Sequence, residues 1–281
     1  MDIGGSALVT GASRGIGRAV AIELANRGFH TIATMRDPAQ GEALRHEVAE
    51  GATLEVRRLD VTDASTFDLP DDLRVLVNNA GIDSPYLPVE HSDLDDWRAL
   101  FETNVLGVVA LTQAAIEPLR RNRPAVVCSV TSSSILAAMP FYAAYRATKA
   151  AISAYNDSLR VEVAGFGIRV VEILPGPIDT DMFELSKHSL EAEGHRFPAY
   201  ATLARVADSL RRQHADPQVT SPAQAARRIA NAICDDAGPM RYGCDALSDG
   251  LLELWRQADD ETMFTLTGQS LIDEAKAAQQ A

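Results

Sequence analysis

Short apolar runs alternate with longer helical patterns along most of this chain, and that alternation constrains its fold more than any other feature. The runs cover residues 6–10, 30–35, 53–59, 75–78, 125–130 and 168–174, and helical periodicity fills 16–27, 93–121 and 142–165. Several runs are nearly continuous in Val, Ile and Leu, the pattern of strands buried beneath helices on both faces. Strands alternating with helices build an α/β, doubly wound parallel sheet. Right-handed crossovers then bring the C-terminal strand ends to one edge, where ligands bind. No repeat, low-complexity tract or linker interrupts the chain, so residues 1–281 read as one domain. Two stretches depart from the alternation. Residues 181–217 are polar with a helical pattern and hold Phe183, His188, His195, Phe197 and Tyr200. They read as a helical lid inserted after the sixth strand, with a merely solvated insertion as the plainer alternative. Residues 249–281 form a C-terminal extension whose apolar side chains, from Leu251 to Ile272, need a surface to pack on.

The bulk chemistry excludes some functions. A net charge of −13 and a pI of about 4.9 argue against nonspecific binding to nucleic acid or to an anionic membrane surface. No unbroken run of eighteen apolar residues suggests a spanning helix, and the N-terminus lacks the basic and apolar regions of a signal peptide. The three cysteines, Cys128, Cys234 and Cys244, form no CxxC pair, so a reduced, cytoplasmic setting without a metal site is expected.

The first strand ends at Leu8-Val9-Thr10, and a helix starts near Ile16. Gly11, Gly15 and Gly17 fall between them. Glycine supplies positive φ, close approach of a pyrophosphate and close helix packing, and the helix start offers amides and a positive dipole end to phosphate. The spacing here is G-x-x-x-G-x-G. Farther along stand Asp60-Val61 after the third strand, Asn78-Asn79-Ala80-Gly81 after the fourth, Asn104-Val105 in the next helix, and Pro175-Gly176 after the sixth, followed by Ile178 and Thr180. As an ordered set from Ser6 to Thr180 these segments resemble the short-chain dehydrogenases/reductases. The resemblance implies a Rossmann-type sheet of seven strands, the last near 241–247. It also implies a nicotinamide cofactor held by Gly11, Ser13, Arg14, Gly15, Ile16, Gly17, Arg36, Asp60, Val61, Asn79, Ala80, Gly81, Tyr145, Lys149, Pro175, Gly176, Ile178 and Thr180.

The chemistry converges on Y-R-A-T-K. Tyr145 and Lys149, at i and i+4, project from one helix face. A phenol is a poor base at neutral pH, and a nearby ammonium is expected to lower its pKa. Tyr145 can then give a proton to a carbonyl oxygen or take one from an alcohol. Tyr142 competes for the phenol role but has no lysine four residues on. Ser132 lies among Ser129, Thr131, Ser133 and Ser134; its thirteen-residue step to Tyr145 matches the family pattern and selects it to hold the substrate oxygen. The resemblance also implies that Asn104 holds a water linked to Lys149.

Cofactor choice turns on the end of the second strand, Thr34-Met35-Arg36-Asp37. NAD enzymes commonly place an acid there for the ribose 2′-hydroxyl. Met35 cannot serve, whereas Arg36 and Arg14 could grip a 2′-phosphate, so NADP(H) is preferred. NAD(H) is the alternative if Asp37 ends the strand, and both arginines could instead be surface charges. For the substrate, Ser134, Met139, Tyr142, Met182 and Phe183 join Ile82, Tyr86, Leu87 and Leu136 in a mostly apolar wall, which suits a medium-sized hydrophobic ketone or secondary alcohol. The long tail resembles the hydroxysteroid and retinol dehydrogenase branch. The resemblance further implies a homodimer or homotetramer through the helices bearing Asn104 and Tyr145. Competing readings are a cofactor-bound sensor without turnover and a dinucleotide-dependent epimerase or dehydratase.

Overall fold

The computed structural model describes residues 3–185 and 196–280. Seven strands form one parallel sheet in the order β3-β2-β1-β4-β5-β6-β7. They are β1 (Ser6–Val9), β2 (His30–Met35), β3 (Leu54–Arg58), β4 (Leu73–Asn78), β5 (Ala125–Val130), β6 (Ile168–Leu174) and β7 (Arg241–Gly243). The order reverses direction between β1 and β4, which opens a crevice at their C-terminal ends. Strands β1 and β5, which flank the central β4, are fully buried, as their continuous apolar runs require.

Helices cover both faces. Helix α1 (Gly15–Asn26) packs one face, with Val20 and Leu24 in a core shared with Val9, Val75 and Val77. On the other face lie α2 (Leu94–Phe101), α3 (Gly107–Arg121) and α4 (Ala143–Val163), where Leu111, Leu119, Leu159 and Val163 meet Leu8, Leu76 and Val127. Each fully buried leucine contributes about 1.5–3 kcal/mol. The stretch Leu94–Arg121 is long and apolar enough to cross a bilayer by length and composition, which a search for an unbroken apolar run misses. Here it lies against the sheet, with Leu111, Thr112, Ala115 and Leu119 fully buried. Between α2 and α3, residues Glu102–Leu106 form a π-helical turn, a feature frequent at functional sites.

Beyond β6, residues 181–185 are helical, and His188 and His195 lie outside the described residues. Helix α5 (Ala201–His214) follows, then α6 (Pro222–Cys234), which packs beside α1. Strand β7 ends at Gly243, short of the expected 247. The reason is Asp245, whose side chain caps α7 (Ala246–Gln257) through Ser248 N at 2.9 Å and accepts from Gly176 N at 2.7 Å. The chain closes with α8 (Asp260–Phe264), a second π-helical turn at Thr265–Gln269, and α9 (Ser270–Gln280), which packs on α5.

Candidate active site and cofactor cleft

A cleft of about 650 Å³ opens at the switch point between β1 and β4. Its nucleotide half is organised by backbone. Gly11 and Gly15 take φ of +64° and +57°, and a Cβ on Gly11 would stand 2.8 Å from Ala80 Cα. A Cβ on Gly17 would collide with Asn79 Nδ2 and come within 2.5 Å of the Gly11 carbonyl oxygen. Thr10 ties this turn to the N-N-A-G segment. Its Oγ1 accepts from the Asn79 and Ala80 amides, both at 2.9 Å, and donates to the Val77 carbonyl at 3.2 Å. Asn79 Nδ2 returns a bond to the Thr10 carbonyl at 2.9 Å. Asn79 therefore holds the turn with its side chain while lining the cleft.

Ser13, Arg14, Ile16, Arg36, Asp60, Val61, Ala80, Gly81, Pro175, Gly176, Ile178 and Thr180 line the same cleft. Arg36 is exposed at the β2 end, and its charge contributes to keeping the Asp60 carboxyl below the ordinary range, after the larger effect of the Thr62 amide hydrogen bond. Arg14 pairs with Asp181 at 3.3 Å on the surface. Met35 ends β2, buried against Gly41. Asp37 is committed elsewhere: its carboxylate accepts from Ala39 N at 3.1 Å and Gln40 Nε2 at 3.3 Å, capping the 3₁₀ helix Pro38–His46. These residues form a cradle that fits a dinucleotide: small residues where phosphates approach, free amides at the start of α1, and cations at the ribose end.

The reactive half is organised by side chains. Ser132 and Tyr145 line the cleft together, and Ser132 Oγ accepts from Ser134 N at 3.2 Å. Lys149 donates to the Val130 carbonyl at 3.0 Å, and its Nζ lies 5.5 Å from the Tyr145 ring centre. Burial lowers the Lys149 pKa to about 8, with the nearby Asp83 charge opposing. The expected lowering of the Tyr145 pKa is not what the structure gives. Burial raises it, followed by the charge of Asp83, and the hydrogen bonds from Ser132 and Tyr142 only partly offset this. The phenol is therefore protonated at neutral pH and ready to donate. Asn104 does not line the cleft. It is buried, with Oδ1 accepting from Ile82 N at 2.9 Å and Nδ2 donating to Ile82 O at 2.9 Å and Thr148 Oγ1 at 3.2 Å. Its side chain fixes the loop after N-N-A-G against α4.

Ser134, Met139, Tyr142, Met182 and Phe183 all line the wall beyond Tyr145. Among the described residues the buried Ser134 hydroxyl has no hydrogen-bond partner. Tyr86, Tyr142 and Tyr145 form a parallel column, with ring centres 4.4 Å and 4.6 Å apart. Asp83 sits beside it in the cleft wall, accepting from Ser84 N at 2.8 Å, and burial pushes its carboxyl up to about 6. Sequence reasoning named Tyr86 as apolar wall and counted the Asp83–Pro88 loop among the substrate contacts, but did not single out the Asp83 carboxylate, although it lies two residues past Gly81. It missed Thr10 as a clamp and missed the contribution of the extension. Leu266, Thr267, Ser270 and Leu271 reach the cleft from the second π-helical turn and the start of α9, and Thr267 Oγ1 accepts from Ala138 N at 3.0 Å. No local motif marks a residue that arrives from more than a hundred positions away.

Comparison with known proteins agrees with this geometry. The family model for short chain dehydrogenase matches residues 6–191. An oxidoreductase of Botryotinia fuckeliana is 31% identical over 249 residues, covering 85% of this chain and 89% of that protein. A sulfoacetaldehyde reductase of Chromohalobacter salexigens is 33% identical over 182 residues, covering 62% of this chain and 72% of that protein. Among solved structures, a short-chain dehydrogenase from Streptomyces avermitilis superposes with a TM-score of 0.71 at 28% identity, covering 100% of this chain and 99% of that one. A Burkholderia cenocepacia short-chain dehydrogenase in complex with NADP shares the fold, with a TM-score of 0.71 at 24% identity over 95% of this chain and 99% of that one. With the switch-point cleft, the glycine turn and Ser132, Tyr145 and Lys149 meeting at its end, the chain belongs to the short-chain dehydrogenase family.

Proposed function

We propose that this oxidoreductase uses NADP(H) to interconvert a medium-sized hydrophobic ketone and its secondary alcohol, with Tyr145 as the general acid/base. The observation that carries the reading is the convergence of Ser132, a buried Tyr145 and a buried Lys149 at the end of a dinucleotide-sized cleft. When bound, NADP(H) supplies or accepts the hydride. Ser132 and Tyr145 hold the substrate oxygen, and the Tyr145 hydroxyl donates its proton as negative charge develops there. Lys149, fixed on the Val130 carbonyl, presents an ammonium beside the phenol and would hydrogen-bond the nicotinamide ribose of a bound cofactor. Asn104 keeps the Ile82 loop and α4 in register with that lysine.

NADP over NAD is supported by Arg14 and Arg36 beside the cleft and by Asp37, whose carboxylate is taken by its own helix cap. The apolar substrate wall comprises Met139, Met182, Phe183, Leu266 and Leu271, with Ser134 supplying an unpaired hydroxyl that a substrate polar group can satisfy. In this reading residues 181–217 serve as lid, 249–281 as a specificity extension, and the protein works in the cytoplasm. Exposed Leu94 and Leu106, on the α2–α3 stretch, suit contact with a second copy in a homo-oligomer.

The test is NADPH oxidation against a panel of hydrophobic ketones, with Tyr145→Phe beside wild type. Tyr145→Phe is expected to lower kcat by roughly 10²–10⁴-fold with NADPH affinity unchanged, the usual range for a lost general acid. Full turnover by that variant would overturn the assignment. No turnover by wild type on any ketone or alcohol would favour the cofactor-bound sensor.

A further inference from the structure

We propose that the π-helical turn Thr265–Gln269 sets substrate specificity by turning Leu266 and Leu271 together onto the substrate end of the cleft, where they hold an apolar arm of the substrate. The site then selects ketones that carry a long apolar substituent over short ones. The inference rests on the reading of the chain as a ketone and alcohol oxidoreductase. It deepens that reading, because it names the part of the substrate that the C-terminal extension recognises.

Helix geometry sets the constraint. In an α-helix each residue advances about 100° around the axis, so side chains five apart splay by about 140°. A π-turn closes on the fifth residue instead of the fourth, and brings side chains five apart onto one side. Residues 260–280 run through α8, the π-turn and α9 without a break. Two pairs in this run are spaced by five. Met263 and Gly268 are both buried, and Leu266 and Leu271 both line the cleft. Thr267 and Ser270, which lie between the leucines, line it too. An uninterrupted α-helix would splay both pairs. The extra residue in the turn lets one face seat on the protein while the neighbouring face carries both leucines to the cleft.

The seat is the segment that joins Ser132 to Tyr145. Ala138 N donates to Thr267 Oγ1 at 3.0 Å, and the Thr267 hydroxyl donates in turn to the Met263 carbonyl at 2.8 Å. Gly268 approaches the same segment so closely that a Cβ there would stand 2.8 Å from the Ala138 Cβ and 3.1 Å from the Phe264 ring. The extension is held on either side of the turn. Leu252 on α7 packs with Leu136 and Leu174, and α9 packs on α5. Leu271 is buried at the inner end and Leu266 is exposed at the rim. Leu251, Met139 and Met182 line the same cleft. An apolar arm that leaves the carbonyl beside Ser132 and Tyr145 therefore meets methyl and thioether groups, and each methylene it places there leaves water. A short ketone has no methylenes to place.

The test compares methyl heptyl ketone with methyl ethyl ketone, by kcat/KM with NADPH and by calorimetric binding to the NADP-loaded protein. Wild type should bind and reduce the longer ketone better. Deleting Gln269, whose side chain bonds Asp273 on the surface, lets the turn close as an α-helix and rotates Leu271 by about 100° away from the cleft. The ratio of kcat/KM for the long ketone over the short one should then fall about tenfold, the contact of roughly two methylenes. The change should lie in KM for the long ketone, with kcat, the short ketone and NADPH affinity unaltered. An unmoved ratio overturns the proposal, as does equal affinity of wild type for the two ketones. So does an equal loss on both ketones, because the turn would then support the catalytic groups and recognise nothing of the substrate. If the deletion variant no longer binds NADPH, Gly268→Ala decides by the same criterion, since its methyl pushes the turn off Ala138. Calorimetry reads the contact without turnover. A wild type that binds the long ketone tighter, loses that preference on deletion of Gln269 and yet reduces neither ketone would overturn the oxidoreductase reading and leave this contact standing.

Discussion

In the half of the cleft built by β1, β2 and β4, position is held by main chain. Gly11 and Gly15 sit at positive φ, Gly17 touches its neighbours with no room for a Cβ, and one threonine hydroxyl joins the turn to the next loop. In the half built by the ends of β4 and β5, α4 and the C-terminal extension, position is held by side chains. Three stacked tyrosines, a half-buried carboxylate, a buried lysine and apolar residues from distant elements do the positioning there. Backbone geometry tolerates almost no substitution and looks alike wherever phosphates are bound. Side-chain packing can be changed residue by residue, so it is the half that can be adapted to one substrate.

That contrast predicts a graded series of effects. The largest lies in the main-chain half. Gly17→Ala forces a methyl group onto Asn79 and the Gly11 carbonyl, and is expected to cost about 2–3 kcal/mol, roughly a hundredfold loss of NADPH affinity, read by fluorescence titration. Near-normal affinity would break the comparison, because it would mean the turn yields as readily as a side-chain wall. A smaller effect is expected at the ribose end. Arg36→Ala should weaken NADPH binding about tenfold and leave NADH binding unchanged, the loss of one charge-assisted contact. Equal weakening of both cofactors would remove Arg36 from 2′-phosphate recognition. The smallest effect belongs to the side-chain half. Leu266 is 56% exposed at the cleft rim, and Leu266→Ala should raise KM for a hydrophobic ketone about threefold while NADPH affinity and kcat hold. A matching change in cofactor affinity would show that the two halves are not separable.

Two carboxylates, one fully buried and one half-buried, show the same difference at the scale of single residues. Glu172 in β6 is fully buried and saturated: Thr131 and Ser153 donate to it at 2.9 Å and 3.1 Å, and Arg241 at 3.0 Å. It ties β5, α4 and β7 together and faces no ligand. Asp83, by contrast, lines the cleft beside Tyr142 and Tyr145, and its charge helps hold the Tyr145 pKa up. Burial raises both pKa values, yet only Asp83 lies where its charge can act on a reaction. A perturbed carboxyl marks a functional candidate through its location, and the shift alone does not separate it from a structural ion pair.

The elements were largely legible from pattern. Strands 30–35, 125–130 and 168–174 occupy the spans read from their apolar runs, because a strand buried on both faces leaves an uninterrupted hydrophobic record. Strand β7 was overextended because Asp245 turns from strand to helix cap through a bond to Gly176, a partner 69 residues away. The interruption at Glu102–Leu106 was invisible because a π turn has the same composition as the helices flanking it.

Periodicity and short spacings encode local geometry directly, so the sequence by itself determined the sheet, the glycine turn and the shared helix face of Tyr145 and Lys149, while the resemblance to the family picked Ser132 from its neighbours. Tertiary structure alone decided how those groups ionise and what stands opposite them. Burial, not the i+4 lysine, sets the state of Tyr145. The Asp37 carboxylate is consumed by a helix cap, and Asn104 turns its amide onto Ile82. The substrate wall is completed by residues 266–271 folding back across the cleft. Desolvation and long-range packing depend on which surfaces meet, and that is settled only when the whole chain has closed around the site.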